Sequence, residues 1–288
     1  MSIVVTGATG QLGRLVIDAL LATVPAASVA AVVRSKEKAA DLAERGIELR
    51  IADYDRPESL AGAFAAGDRI LLISGSEVGR RVPQHRAVID AAEAAGVAQL
   101  AYTGILGGDG ADFVLAAEHK ETERLILASG LPHTFLRNGW YSENYTAQLA
   151  AVLAHGAVVA SAGEGRVASA PRADYAAAAA AVLTGPIEEH LSTAYELSGD
   201  DAWSFAEYAA EVAARSGREV THRNVPAATH LEILIGAGVP QGFAEILVDV
   251  DRAVEQGALA LRTGDLARLI GRPTTPIAAS IEEALTTS

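Results

Sequence analysis

Residues 3–13 read Ile-Val-Val-Thr-Gly-Ala-Thr-Gly-Gln-Leu-Gly, and this stretch decides the fold. An apolar strand over residues 2–6 leads into a glycine-rich turn, and an amphipathic helix is predicted over residues 11–21. The glycines of the turn are three residues apart: Gly7, Gly10 and Gly13. In a dinucleotide site the first glycine permits a tight turn, the second lets the backbone approach the pyrophosphate, and the third lets the helix pack on the strand.

A glycine triplet alone is a weak signal, but the strand before it and the helix after it favour a phosphate site over a turn that binds nothing. The helix would point its free N–H groups and the positive end of its dipole at the phosphates. The predicted contacts in this stretch are Thr6, Gly7, Thr9, Gly10, Gln11, Leu12 and Gly13.

Composition narrows the class of protein further. The chain has 288 residues, half of them hydrophobic, enough for one large domain or two unequal ones. Its net charge of −13 argues against a nucleic-acid surface, since phosphate contacts need clustered Lys and Arg. The absence of cysteine excludes disulfides and Cys-based metal sites, and no metal is predicted. Without a signal-peptide pattern, and with Pro25 inside the 15-residue uncharged run 19–33, a cytoplasmic protein without membrane insertion is predicted. Abundant Ala, many Arg and few Lys indicate a bacterial source.

Strands and helices alternate through the first half of the chain, which predicts βαβ units and a doubly wound parallel sheet. After residue 137 the rhythm changes to helices with short extended pieces. We therefore predict a Rossmann domain over residues 1–137, with 156–183 returning to it. A smaller, mainly helical lobe is predicted from residues 138–155 and 184–288. The predicted strands of the first half are 29–33, 47–51, 69–73, 100–103 and 133–137, and its predicted helices are 36–44, 57–64, 82–95 and 114–128.

The residue after the second strand indicates which dinucleotide binds. NAD-binding folds usually place Asp or Glu there, on the ribose 2′-hydroxyl, but this chain has Arg34, 21 residues after Gly13. The planar fork of an arginine suits a 2′-phosphate, so NADP(H) is favoured over a solvated loop arginine. Lys36 or Lys38 could add charge. Asp53, after the third strand, would lie near the adenine, or it caps the segment around Pro57.

The catalytic pair of most short-chain dehydrogenases is absent. Those enzymes use Tyr-x-x-x-Lys, in which the Lys lowers the pKa of the Tyr. None of the seven tyrosines is followed four residues later by Lys. Alcohol oxidation by that route is therefore disfavoured. An acceptor whose reduction needs no such pair fits the absence, because hydride positioning alone could supply much of the catalysis.

Two groups of side chains are candidates for the acceptor side of the site. His119 and Glu123 are four residues apart and share a helix face, as a functional pair, a surface pair or a buried structural histidine. Tyr102 and Thr103 lie at the carboxyl end of the fifth strand, where open α/β sheets bind ligands. The tentative catalytic residues are Tyr102, His119 and Tyr141.

The polar and aromatic stretch after the sixth strand is the second group. Trp140 and Tyr141 could line a slot for a planar ring, although Trp140 could equally pack between the lobes. The polar residues Asn138, Glu143 and Arg172 stand among apolar neighbours, which suggests contacts to a cofactor or between lobes.

Several longer stretches together resemble the NmrA-like group of atypical short-chain dehydrogenases/reductases, and within it the bacterial members that reduce quinones. The matching stretches are 6–13, 71–74, 76–79, 83–86, 101–103, 138–145 (Asn-Gly-Trp-Tyr-Ser-Glu-Asn-Tyr, the most specific), 172–175 and 195–197. Gly75 departs from the pattern, which has a small polar residue there. Carried over to this chain, the resemblance implies further cofactor contacts at Ser74, Gly75, Ser76, Thr103, Asn138, Gly139, Trp140, Tyr141, Ser142, Glu143 and Arg172.

The resemblance implies NADPH binding and two-electron reduction of a small-molecule quinone, without a flavin. Two alternatives stay open: reduction of another conjugated acceptor, such as an azo or triphenylmethane dye, and an NADP(H)-sensing regulator without turnover. A homodimer is compatible with the sequence.

Overall fold

A seven-stranded parallel sheet forms the centre of the computed structural model, which describes residues 2–287. The strands are β1 (Ile3–Val5), β2 (Val29–Val33), β3 (Glu48–Ile51), β4 (Arg69–Leu72), β5 (Gln99–Ile105), β6 (His133–Asn138), β7 (Ala157–Ala160), β8 (Arg166–Val167), β9 (Thr193–Leu197), β10 (Trp203–Ser204) and β11 (Thr221–Asn224). The order in the large sheet is β3-β2-β1-β4-β5-β6-β9, and all neighbours are parallel. The order reverses between β1 and β4, and ligands bind at such a switch point.

Helices cover both faces of this sheet. The helices of the described chain, which include those of the second lobe, are α1 (Gln11–Leu21), α2 (Ala40–Glu44), α3 (Arg81–Ala95), α4 (Ala116–Ser129), α5 (Glu143–Thr146), α6 (Leu149–His155), α7 (Arg172–Thr184), α8 (Phe205–Ser216), α9 (Ala227–Gly236), α10 (Gln241–Glu255), α11 (Asp265–Ile270) and α12 (Ile277–Thr287). Val5 and Leu71 belong to one core with α1 and α7, while Val4 and Leu72 belong to the other with α3 and α4. This alternation is expected of strands buried on both faces, and it confirms the predicted doubly wound sheet.

The predicted helix over residues 57–64 is wrong. Only one 3-10 turn forms, from Pro57 to Leu60. The Ser59 hydroxyl donates to the carbonyls of Asp53 and Arg56, at 3.1 and 2.7 Å, and so competes with a regular helix. Gly62 then has a φ of +82°, outside the helical region.

The second lobe has a core of its own, built around an aromatic cluster. Tyr145, Trp203 and Tyr208 pack with ring centroids between 4.7 and 5.9 Å apart. Around them lie α8, α10 and α12, together with two short pairs, β7 with β11 and β8 with β10. The helical C-terminal region is therefore as predicted, although β7 and α12 were not.

Strand pairing and core packing place three segments in the other lobe from the one predicted. Residues 157–160 pair within the smaller lobe, whereas β9 is the seventh strand of the central sheet. Leu266 of α11 packs into the core that contains α1 and α7. The division into two domains stays a prediction, with these three segments reassigned.

The described chain was also searched for two other features. None of its helices is long and apolar enough to cross a membrane. Within residues 2–287, no group of three or more His, Cys, Asp or Glu side chains is arranged to hold a metal ion.

Candidate active site

The glycine-rich turn has the shape that a pyrophosphate needs. Gly7 has a φ of +59°, and the Gly10 N–H donates to its carbonyl oxygen at 2.9 Å. A Cβ on Gly13 would overlap that carbonyl and lie 2.8 Å from the Ala8 Cα. Only glycine therefore lets α1 approach the end of β1 this closely.

The first turn of α1 leaves its amides available. Within the described chain, no side chain caps the helix at Gly10, and its first turn holds no acidic residue. Gly10 and Gln11 are exposed, Thr9 is half-buried, and Leu12 is buried in the core. Free amides at a helix N-terminus suit an anion, so this turn fits a dinucleotide phosphate.

Thr6 supports the turn from below. It is buried, its N–H donates to the Leu71 carbonyl at 3.0 Å, and its hydroxyl accepts from the Ile73 N–H at 3.1 Å. The side chain therefore ties the end of β1 to the end of β4, across the switch point.

Arg34 lies at the end of β2 with a free guanidinium. It is exposed, and within residues 2–287 it makes no hydrogen bond or ion pair. Other arginines nearby are paired, Arg14 with Asp41 and Arg45 with Asp18. An unpaired planar cation at this position fits a 2′-phosphate.

Asp53 shapes its own loop. Its Oδ1 accepts from the Asp55 N–H at 3.2 Å, and its Oδ2 lies 3.5 Å from Arg56 Nε. The turn at Pro57 has Arg56 as its N-cap and no side-chain cap, so the predicted alternative of a cap at Asp53 is wrong. The adenine contact stays a prediction.

The loop after β4 is pinned from two sides. The Ser74 N–H donates to Thr103 Oγ1 at 2.8 Å, and the Thr103 hydroxyl lies 3.3 Å from Ser74 Oγ. The Gly75 N–H donates to His85 Nε2 at 2.9 Å, and its carbonyl accepts from Arg81 Nε at 2.5 Å. The loop is therefore preformed beside the switch point, with Ser76 exposed.

Gly75 tolerates the departure from the family pattern. A Cβ there would lie 3.2 Å from the amide oxygen of Gln84, the far end of a flexible side chain. A small polar side chain would therefore need only a slight shift of Gln84.

Tyr102 and His119 are brought together, as the sequence alone could not establish. The Tyr102 hydroxyl lies 2.7 Å from His119 Nδ1, and both side chains are buried. Burial, with smaller effects of Arg81 and His85, lowers the pKa of His119 to about 3, and burial raises the pKa of Tyr102. A tyrosine hydroxyl can donate or accept, so this hydrogen bond fits either neutral tautomer of His119. When Nδ1 accepts from Tyr102, the ring hydrogen of His119 is on Nε2.

His85 completes this buried group. Thr122 donates its hydroxyl hydrogen to the Glu118 carbonyl at 2.8 Å, so it accepts from His85 Nδ1 at 2.9 Å. Burial, and to a lesser degree Arg81, lowers the pKa of His85 to about 4. His85 is therefore a neutral link between α4 and the loop at Gly75.

The predicted pairing of His119 with Glu123 is wrong. Glu123 instead binds Arg137 of β6, with oxygen–nitrogen distances of 3.0 and 2.7 Å. Arg137 also donates to a Glu196 carboxylate oxygen at 2.8 Å. The hydrogen bond that Arg137 donates to Glu123 is the main reason that the pKa of Arg137 is raised. A buried carboxylate needs a cation, and Arg137 of β6 supplies it.

Tyr141 lies at the junction of the two lobes. Its hydroxyl accepts from Asn138 Nδ2 at 3.1 Å, and the Arg172 guanidinium lies 4.5 Å from its ring centroid. Burial is the main cause of its raised pKa. Gly139 is confined, since a Cβ would lie 2.9 Å from the Leu197 carbonyl oxygen.

Three predicted cofactor residues near Tyr141 have structural partners within the chain. The Glu143 carboxylate accepts from the Arg172 N–H at 2.9 Å and so caps α7. Ser142 is buried with its Oγ 3.0 Å from Ser169 Oγ. Trp140 packs on the core of the smaller lobe, as the packing alternative expects. Cofactor contacts by these three residues stay a prediction.

Comparison with known proteins agrees with this geometry. The family model described as NAD(P)H-binding matches residues 7–186. Quinone oxidoreductase 2 of Escherichia coli is 48% identical over 279 residues, which cover 97% of each chain. This chain belongs to the NAD(P)H-binding, NmrA-like family.

Solved structures of NmrA-like relatives match along the whole chain. The Escherichia coli NADPH-dependent quinone oxidoreductase in complex with NADPH superposes with a TM-score of 0.95 at 47% identity, covering 98% of this chain and 99% of that one. The triphenylmethane reductase of a Citrobacter species superposes with a TM-score of 0.94 at 40% identity, covering 99% of this chain and all of that one. The fold and the NADP-type cofactor class of the chain are thereby confirmed.

Sequence reasoning missed Arg81, and it gave no role to His85. Arg81 is buried, and its Nη1 has no hydrogen-bond partner among residues 2–287, with Glu118 Oε2 3.9 Å away. His85 stands in the matching stretch 83–86, which was the one available signal. The partners of both residues come from distant segments, which a pattern along the sequence does not reveal.

Proposed function

We propose that the protein is an NADPH-dependent reductase that passes a hydride to a quinone. The observation that carries the proposal is the 48% identity to Escherichia coli quinone oxidoreductase 2 over 97% of both chains. When bound, NADPH supplies a hydride, which carries both electrons of the reduction. One further proton, added at oxygen, completes the hydroquinone. No flavin is needed in this scheme.

The chain would hold the dinucleotide across the switch point. Gly7, Gly10 and Gly13 leave room for the pyrophosphate at the N-terminus of α1, and the free guanidinium of Arg34 meets the 2′-phosphate. Ser74 and Thr103 are held to each other at the ends of β4 and β5, where the nicotinamide side of such a site lies.

His119 is the candidate donor to the acceptor oxygen. It lies in the first turn of α4, close to the loop at Gly75 that Arg81 holds. With Tyr102 as the donor to Nδ1, the ring hydrogen of His119 is on Nε2, which has no partner among residues 2–287. A donor placed there would stabilise the negative charge that develops on a quinone oxygen. Tyr102 is then a positioning residue, since it acts through His119.

A second candidate acceptor is a triphenylmethane dye. It is favoured by the 40% identity to the Citrobacter triphenylmethane reductase over nearly the whole chain. Like a quinone, such a dye is conjugated and accepts a hydride, and neither acceptor needs the Tyr-x-x-x-Lys pair.

One set of assays tests these proposals together. Purified protein and NADPH are mixed with a panel of quinones, a triphenylmethane dye and an azo dye, and NADPH oxidation is followed by absorbance. The dissociation constant for NADPH is measured in parallel by calorimetry. Turnover fastest with quinones supports the proposal, and turnover fastest with the dye supports the second candidate. Tight NADPH binding with no turnover would favour a sensing protein instead.

Location and partners are proposals of a coarser kind. We expect action in the cytoplasm, where NADPH is available, and no binding to nucleic acid, because the net charge is −13. A homodimer stays a prediction, which size-exclusion chromatography with light scattering checks.

A further inference from the structure

Tyr54 has a buried hydroxyl with nothing to bind. The side chain as a whole is half-buried, but within residues 2–287 its hydroxyl has no hydrogen-bond partner. A buried hydroxyl without a partner destabilises a folded protein, because it loses its hydrogen bonds to water. Such an atom calls for a partner that the free chain does not provide.

The place of this hydroxyl in the fold is informative. The Ala52 N–H donates to the Val33 carbonyl at 3.1 Å, so Tyr54 follows directly beside the end of β2. Its ring packs on the core that includes Val4 of β1. From there the hydroxyl lies near Thr6 and Gly7, at the start of the glycine-rich turn, and within the field of Arg34.

The hydroxyl keeps its hydrogen at any ordinary pH. Burial raises the pKa of Tyr54 to about 12, against smaller opposing effects of Thr6, Gly7 and Arg34. The group is therefore a neutral donor, although Thr6 and Gly7, its nearest polar neighbours, do not lie in hydrogen-bonding geometry with it.

The loop that carries Tyr54 is held on both sides. Asp53 donates its N–H to Ser59 Oγ at 2.8 Å. Asp55 accepts from Gln84 Nε2 at 3.1 Å and pairs with Arg80 at 2.9 Å. The tyrosine is therefore fixed before any ligand binds, which reduces the entropy lost on binding.

We propose that the Tyr54 hydroxyl donates a hydrogen bond to the ribose–phosphate unit on the adenosine side of the dinucleotide. The inference rests on the proposed NADPH binding and adds a residue to it. The hydroxyl lies close to Gly7, the first residue of the phosphate cradle, and Arg34 acts on it electrostatically. The part of the ligand between a pyrophosphate and a 2′-phosphate is the adenosine ribose with its 5′-phosphate. That unit is common to NADPH and NADH.

The test compares Tyr54→Phe with Tyr208→Phe. Tyr208 is the matched control, because its hydroxyl is also buried without a partner in the described chain but lies in the core of the smaller lobe. Dissociation constants for NADPH, NADH and 2′,5′-ADP are measured by calorimetry, and the Tm of each ligand-free protein is measured by calorimetric scanning. For Tyr54→Phe we expect weaker binding of all three ligands, each by about threefold to tenfold, with a Tm equal to or above that of the wild type. Tyr208→Phe should bind all three ligands like the wild type.

The possible results separate this inference from the proposed function. If the wild type binds none of the three ligands, the proposed NADPH binding itself is wrong. If the wild type binds and Tyr54→Phe binds equally well, the inference is overturned. It is also overturned if Tyr54→Phe lowers the Tm or fails to fold, because the hydroxyl then has a partner in the free chain. A loss confined to NADPH and 2′,5′-ADP would assign the hydroxyl to the 2′-phosphate and contradict the ribose–phosphate contact.

Discussion

Arg34 is a cation without a charged partner, and it makes the most selective prediction at the scale of single residues. Arg34→Ala should weaken NADPH binding by about tenfold to a hundredfold, because charge-assisted hydrogen bonds to a phosphate contribute roughly 1.5–3 kcal/mol. NADH binding should change by less than about threefold. Dissociation constants measured by calorimetry check this, with the exposed Arg218 changed to Ala as the control. Equal losses for both dinucleotides would remove Arg34 from the 2′-phosphate.

His119 and Tyr102 allow a second prediction at this scale. His119→Asn keeps an acceptor for the Tyr102 hydroxyl but removes Nε2–H, so kcat should fall by about tenfold to a hundredfold. Tyr102→Phe should lower kcat less, by about threefold to tenfold, and neither change should alter the dissociation constant for NADPH. Steady-state kinetics with a quinone and NADPH calorimetry measure both effects. His133→Asn is the control, because His133 is part-buried at the amino end of β6, away from the ligand edge. An unchanged kcat for His119→Asn would make the histidine purely structural.

A residue's role could be predicted from the sequence where its partners lie nearby in the sequence, and could not where they lie on distant elements. The Gly7–Gly13 turn and Arg34 are local to one βαβ unit, so the spacing alone predicts their roles. The partner of Glu123 is Arg137 on another strand, so the expected pairing within the helix failed. Tyr54 and Arg81 carry no motif, and only one buried atom without a partner in each, the Tyr54 hydroxyl and Arg81 Nη1, draws attention to them.

At the scale of elements, the glycines of the turn between β1 and α1 have different roles: we expect Gly13 to matter mainly for folding stability and Gly10 mainly for NADPH binding. Gly13→Ala would push α1 away from β1, because its Cβ would lie 2.8 Å from the Ala8 Cα, and overpacking of this kind destabilises by about 1–3 kcal/mol. Gly10 is exposed, and its Cβ would meet only the Gly7 carbonyl, at 3.1 Å. Gly10→Ala should therefore keep most of the Tm but lose NADPH affinity, since the Cβ stands where a phosphate approaches.

Thermal unfolding and NADPH calorimetry on the two variants check this contrast. Gly13→Ala should show the larger fall in Tm. Gly10→Ala should lose more affinity for NADPH than Gly13→Ala does, relative to the fall in Tm of each variant. Gly110→Ala is the matched control, because a Cβ there meets nothing within 4 Å. If the loss of NADPH affinity relative to the fall in Tm were the same in both variants, Gly10 and Gly13 would not have the separate roles predicted here.

The predicted boundaries of helices and strands match the structure where the apolar periodicity and the residues that begin or end an element agree. α1 runs from Gln11 to Leu21 and β2 from Val29 to Val33, as predicted. Periodicity failed at residues 57–64, where Ser59 bonds back to its own loop. It also could not assign β9 to the central sheet, because strand partners are chosen by tertiary packing.

At the scale of the whole molecule, two buried neutral histidines should make folding sensitive to acid. The pKa values of His85 and His119 are lowered to about 4 and about 3, whereas an unfolded histidine titrates near 6.5. Between these values the unfolded chain binds more protons than the folded one, so the free energy of unfolding falls as the pH falls below about 6.5. Their contribution to stability is complete above that pH. Each histidine adds a slope of up to about 1.4 kcal/mol per pH unit.

Comparison of His119→Asn with the wild type isolates one of these two slopes. Tm values measured from pH 7.5 down to pH 4.5 should fall less steeply in the variant, because one buried group no longer takes up a proton on unfolding. His155→Asn, at an exposed histidine that ends α6, should give a curve parallel to that of the wild type. A parallel curve for His119→Asn as well would show that His119 is not held neutral by burial. The neutral state of His119, on which the assignment of its tautomer rests, would then no longer follow from the fold.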